Sequence, residues 1–168
     1  MLLTLTVIMT ISQHSNAQDT TPIVTEGVIE APIESVWLAW TTSKGLRSWL
    51  APHVEIDLKI GGVMRTNYNP EGTLGDEQTI ENTILAYEPR RMLSIMVTKA
   101  PEQFPFPNAI YNMWTVMYFE SLDSSKTRMR VVGMGFDLSE ESQNMPSFFQ
   151  RGNLLTIQQI QRHYSPAR

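Results

Sequence analysis

Residues 31–52 read APIESVWLAWTTSKGLRSWLAP. Pro32 suits the first turn of a helix, where its missing N–H is no loss. Glu34 lies in the same turn, where its charge favours the helix dipole. Ile33, Val36, Trp37 and Trp40 stand at i, i+3, i+4 and i+7 and share one apolar face. Thr41 to Ser43 breaks this helix, and residues 44–50 predict a second short one, closed by Trp49, Leu50 and Pro52. Upstream, Ile23 to Glu30 (IVTEGVIE) alternates roughly and predicts a strand.

Downstream, only strands follow until the last segment. Val54 to Lys59 alternates, Gly61-Gly62 makes a turn, and Val63 to Tyr68 completes a hairpin. Glu77 to Tyr87 and Met92 to Thr98 flank the turn Glu88-Pro89-Arg90-Arg91. Lys99 to Asn108 is an irregular loop with three prolines, whose Phe104 and Phe106 are expected to fold back onto the body. Tyr111 to Glu120 and Thr127 to Phe136 predict a final hairpin around residues 123–126. Ser139 is a good N-cap ahead of Glu140 and Glu141. Pro146 is expected to mark the start of the long helix, with a stripe of Phe149, Leu154, Leu155, Ile157 and Ile160. Strands grouped together with helices at both ends predict an α+β fold with an antiparallel sheet, not a βαβ parallel one.

The 168 residues correspond to about one domain. With 42 % apolar and 18 % charged residues, the chain forms a core and is not a disordered polymer. The net charge is −4 and the longest basic run is Arg90-Arg91, which argues against nucleic acid as a partner. The absence of cysteine excludes disulfides, Cys-ligated metals and thiol nucleophiles. Leu2 to Ile11 (LLTLTVIMTI) is too short to span a bilayer but fits the apolar region of a signal peptide. No Lys or Arg precedes it, and no Cys follows it to carry a lipid anchor. Cleavage is expected after Ala17, with 18–22 as an extension and 23–164 as an exported domain, periplasmic or extracellular and without a stable membrane anchor. The alternative is a retained, buried N-terminal strand in a cytoplasmic protein.

Several motifs in register resemble the START-like superfamily, and within it the Activator of Hsp90 ATPase homologue 1-like domains. They are Ala31-Pro32 with Val36-Trp37, Gly45-Leu46 and Trp49-Leu50-Ala51-Pro52, then Val54 to Leu58 leading into Gly61-Gly62. Glu88 to Leu93 and Thr127-Arg128-Met129 continue the series. The resemblance spans about residues 23–164 and implies a helix-grip fold: a curved antiparallel sheet wrapped around a long C-terminal helix, enclosing an apolar cavity. Two positions depart from the family pattern. Asn153 stands where a Trp usually follows the helix glycine, and Gly133 stands where many relatives have His.

No catalytic or cofactor motif appears. His14, His53 and His163 make no pair at helical spacing, and HExxH, GxSxG, GxGxxG and GxxxxGK[ST] are all missing. Neither a metal nor a cofactor is therefore expected. Glu81, Glu120 and Tyr118 are weak candidates for acid–base work, if burial raised a carboxylate pKa. The competing reading puts them on a solvated outer face. Eight methionines follow residue 17 and could fill gaps or line an adaptable cavity. Gly133 and Gly135 on a strand and Gly152 on the facing helix could leave room for a ligand, or could mark a bulge and close packing. The expected lining is Trp37, Trp40, Trp114, Met117, Met129, Phe149 and Gly152. Which face of the last two strands turns inward stays open, because a one-residue slip swaps both sets.

These features lead to an expected binder of an apolar or amphipathic small molecule. The resemblance also implies two alternatives. One is an enzyme of the cyclase, dehydratase or hydrolase type using a cavity Glu or Tyr. The other is a protein-interaction domain working with a chaperone. Nothing in the sequence specifies an oligomeric state.

Overall fold

The computed structural model describes residues 21–165, so the expected signal segment 1–17 lies outside the described residues. Seven strands form one antiparallel sheet: β1 (Ile23–Ile29), β2 (His53–Ile56), β3 (Val63–Asn67), β4 (Ile80–Glu88), β5 (Met92–Lys99), β6 (Trp114–Ser121) and β7 (Thr127–Met134). Their order across the sheet is β1-β7-β6-β5-β4-β3-β2. Two short helices, α1 (Ile33–Thr41) and α2 (Ser43–Arg47), follow β1, and the long α3 (Glu140–Tyr164) closes the chain. This is the expected α+β helix-grip arrangement.

The helical period of α1 buries Val36, Trp37 and Trp40 against the sheet. The Thr42 hydroxyl then accepts from the Gly45 N–H at 3.0 Å, which caps α2 and separates the two helices. The β4–β5 turn carries Pro89 at its second position and Arg90 at its third, with φ of 63° at Arg90. A positive φ there normally calls for Gly or Asn.

The register settles which face is inner. Met117 pairs with Val131 and Phe119 with Met129, and these four face the helices. Trp114, Val116, Tyr118 and Glu120 alternate onto the other face.

Three expectations are corrected. The long helix does not begin at Pro146 but runs unbroken from Glu140, with Pro146 inside it. The Ser139 hydroxyl caps its start by accepting from the Ser142 N–H, and the fully buried Met145 anchors the turn, so the helix survives one missing N–H. Tyr111 and Asn112 belong to a 3₁₀ turn (Ala109–Asn112), and β6 starts only at Trp114. β4 starts at Ile80 rather than Glu77. The Asp76 carboxylate accepts from the Thr73 and Gln78 N–H groups and the Asn67 amide, which holds the preceding residues in a loop.

Candidate functional site

At the Gly27 end of the sheet, α3 sits tightly on β1. A Cβ on Gly27 would lie 2.6 Å from the Ile157 Cγ2. The Tyr164 hydroxyl donates to the Ser35 carbonyl at 2.9 Å and ties the end of α3 to α1. Farther along the same inner face the helix and sheet do not meet. They leave an open cavity of about 210 Å³.

Its walls come from many elements. Trp40 of α1 and Leu50 close one side, and Met64, Thr66 and Asn82 stand on β3 and β4. Ile95 and Val97 of β5, with Thr115 and Met117 of β6, form the floor. Phe149, Asn153 and Thr156 face it from α3. Phe104 and Ile110 cover it from the loop before β6. That loop is held in two ways. Phe104, Phe106, Phe148 and Phe149 pack together, with edge-on pairs 5.3–6.0 Å apart. The Glu141 carboxylate also accepts from the Asn108 and Ala109 N–H groups, both at 2.8 Å. These bonds, Ala109 foremost, hold its pKa below the usual glutamate value.

Among the described residues, no Asp, Glu, Lys, Arg or His lines the cavity. Its polar groups are neutral. Tyr68 borders the open side and is 54 % exposed, yet the protein atoms around its phenol raise its pKa above the ordinary tyrosine value. The Thr66 hydroxyl and the Trp40 indole N–H are sealed from solvent with no hydrogen-bond partner among the described residues. Among the described residues, no three His, Cys, Asp or Glu side chains gather as a metal site requires.

Of the seven residues expected to line a cavity, the structure brings Trp40, Met117 and Phe149 to its inner wall, and Trp114 borders it from the first residue of β6, although its strand position alternates onto the outer face. Trp37 and Met129 lie instead in the packed core, where Trp37 meets Phe119 edge-on at 5.6 Å. Gly152 is exposed, and a Cβ there would meet nothing within 4 Å, so it does not face the strand glycines. Those glycines make no room either. A Cβ on Gly133 would lie 2.8 Å from the Ile23 side chain. Gly135 has a φ of 89° and sits against the Asn112 carbonyl and the Trp114 ring.

The acid–base candidates fall outside the cavity. Glu81 pairs with Arg65 at 3.2 Å and Glu120 with Arg128 at 2.9 Å, both on the outer face, and Tyr118 shares that face with Glu120. Sequence reasoning missed Asn82 and Thr66. Their signal was the alternation of β3 and β4, which puts both on the same face as Met64.

A seven-stranded sheet gripping a long helix, with an uncharged, mostly apolar cavity between them, defines a helix-grip architecture. The family model for Activator of Hsp90 ATPase homolog 1-like protein matches residues 30–163, and the chain belongs to that family. Among solved structures, it is similar to the Aha1 dimer from Colwellia psychrerythraea (12 % identity, 86 % of this chain and 96 % of that one, TM-score 0.65). It is also similar to protein BH1534 from Bacillus halodurans (16 % identity, 88 % and 99 % covered, TM-score 0.64). A third is CalU16 from Micromonospora echinospora (20 % identity, 86 % and 76 % covered, TM-score 0.62). At these identities the likeness is one of fold. No curated protein sequence matches the chain.

Proposed function

We propose that this protein binds a small, mostly apolar molecule in the cavity between α3 and β3–β6. The observation that carries the reading is an uncharged cavity of about 210 Å³ on a sheet face that is otherwise filled by its own side chains. Burial of apolar surface drives the binding, at about 25 cal/mol per Å² before the costs of association. Acid–base catalysis is the weaker reading, because among the described residues no carboxylate and no histidine lines the cavity.

The test is native mass spectrometry of the protein purified from its own host, followed by analysis of what denaturation releases. A co-purifying apolar molecule near unit stoichiometry is the expected result. A protein that copurifies with nothing and binds no small aromatic compound at millimolar concentration would refute the reading. Export is part of the proposal and rests on residues 1–17 alone. The intact mass checks it: an exported form starting at Gln18 is expected, and a chain retaining Leu2–Ile11 would return weight to an intracellular role.

A further inference from the structure

The polar groups around the cavity differ in what they can offer a ligand. The Thr156 hydroxyl is already engaged, donating to the Gly152 carbonyl at 2.9 Å. Thr66 and Trp40 are sealed. Asn82 stands apart. It is only 9 % exposed, on the inner face, with Met64 and Val97 as its strand neighbours, and both of those line the cavity. Its carboxamide bonds to no protein group among the described residues, and it is not one of the sealed atoms. Its remaining surface therefore opens into the cavity. Asn67 on the adjacent strand shows the contrast. It is wholly buried, its Nδ2 donates to the Asp76 carboxylate and the Thr73 carbonyl, and its Oδ1 accepts from the Asn69 N–H. A buried amide left without a partner is unfavourable, so such groups normally find one.

We infer that the Asn82 carboxamide orients the ligand, and that the ligand is an uncharged, single-ring-sized apolar body bearing one carbonyl or hydroxyl group. This rests on the binding reading above. A primary amide both donates and accepts, so it pairs with either group. An ionised ligand would meet no counter-charge in this lining. Size follows from volume: a dry apolar cavity of ~150 Å³ takes benzene, and about 210 Å³ admits a ring with a short substituent.

The test is an NMR titration of the ¹⁵N-labelled protein with acetophenone, ethylbenzene and benzoate. The first two share a shape and differ by a carbonyl. Acetophenone is expected to bind about fivefold tighter than ethylbenzene and to shift the Asn82 side-chain NH₂ signals, which ethylbenzene leaves in place. Benzoate is expected to bind at least about tenfold more weakly than acetophenone. In Asn82→Leu the preference for acetophenone disappears while ethylbenzene still binds. Equal affinities in the unaltered protein with unmoved Asn82 signals would overturn the role of Asn82 and leave the cavity reading standing, since ethylbenzene binds. Binding of neither neutral probe would overturn both. Benzoate as tight as acetophenone would overturn the uncharged class. The NH₂ signals are read in the unaltered protein, so the outcome does not depend on Asn82→Leu folding.

Discussion

The inner face of one sheet is finished in two ways along its length. At one end Phe119 and Met129 pair across β6 and β7, Trp37 meets Phe119 edge-on, and Ile157 and Ile160 of α3 are almost wholly buried against them. At the other end the next inward pair, Met117 and Val131, is followed by Thr115 and Gly133, and Thr66 and Asn82 stand across the floor. Two causes separate the ends. Gly27 lets α3 approach at the first end, whereas Phe149, Asn153 and Thr156 face the second across open space. Side chains also turn from apolar to neutral polar. One end therefore supplies stability and the other keeps volume.

The largest effect expected from this contrast is at Trp37. Trp37→Ala should lower the free energy of unfolding by ~3–5 kcal/mol, as large-to-small changes in a packed core do. Phe149→Ala should cost clearly less, because Phe149 is partly buried and already borders empty space. Urea unfolding of both variants measures this, and equal losses would break the distinction. The glycines sharpen it next. Gly27→Ala forces Ile157 to move and should cost ~1–3 kcal/mol. Gly152→Ala removes a helix-interior glycine facing open space and should gain ~0.5–1 kcal/mol, with no change in ethylbenzene affinity.

How much of this was legible in the sequence divides along the same line. Element order, the two short helices and the apolar face of α1 could be read because period and turn chemistry are local properties of residues 31–52 and of the Gly and Pro turns. The cavity could not, because it depends on which of two alternating sets faces inward. Trp37 and Trp40 lie on the same helical face and both join the packed core, yet only Trp40 also borders the cavity. Trp37 is instead covered by Phe119, which lies 82 residues away (119 − 37) and meets it only in the folded chain. Gly152 misled for the same reason. A glycine shows the absence of a side chain, not what stands opposite it.

A smaller effect concerns polar burial at the cavity end. The Thr66 hydroxyl is sealed and unpartnered, so Thr66→Val replaces it with a methyl group of the same shape. A gain of ~1 kcal/mol is expected, since removing an unsatisfied buried polar group relieves its desolvation. Thermal unfolding checks it. A loss of comparable size would mean that the hydroxyl has a partner, and that the cavity end is as fully satisfied as the filled one.

The last test asks whether the two ends open independently, and it uses acid. The carboxylate of Glu141 holds the Asn108 and Ala109 N–H groups, and its folded pKa lies below the ordinary glutamate value of about 4.5. A depressed carboxylate contributes stability that is present above its unfolded pKa and is lost as pH falls through the folded one. Asp137 acts in the same sense at the start of α3, where the Ser139 hydroxyl and N–H hold its carboxylate ionised. The loop over the cavity should therefore be unaffected from neutrality down to about pH 4.5 and loosen below it. Amide-exchange protection at Asn108 and Ala109 should fall before that of β7, and Glu141→Gln should flatten the pH dependence at those two amides. The Trp37 indole signal should hold over the same range, because Trp37 is packed among buried apolar side chains and against the Phe119 ring. Loss of loop protection and of the Trp37 signal at one common pH would show a single cooperative unit, in which the cavity cannot open without unfolding the core beside it.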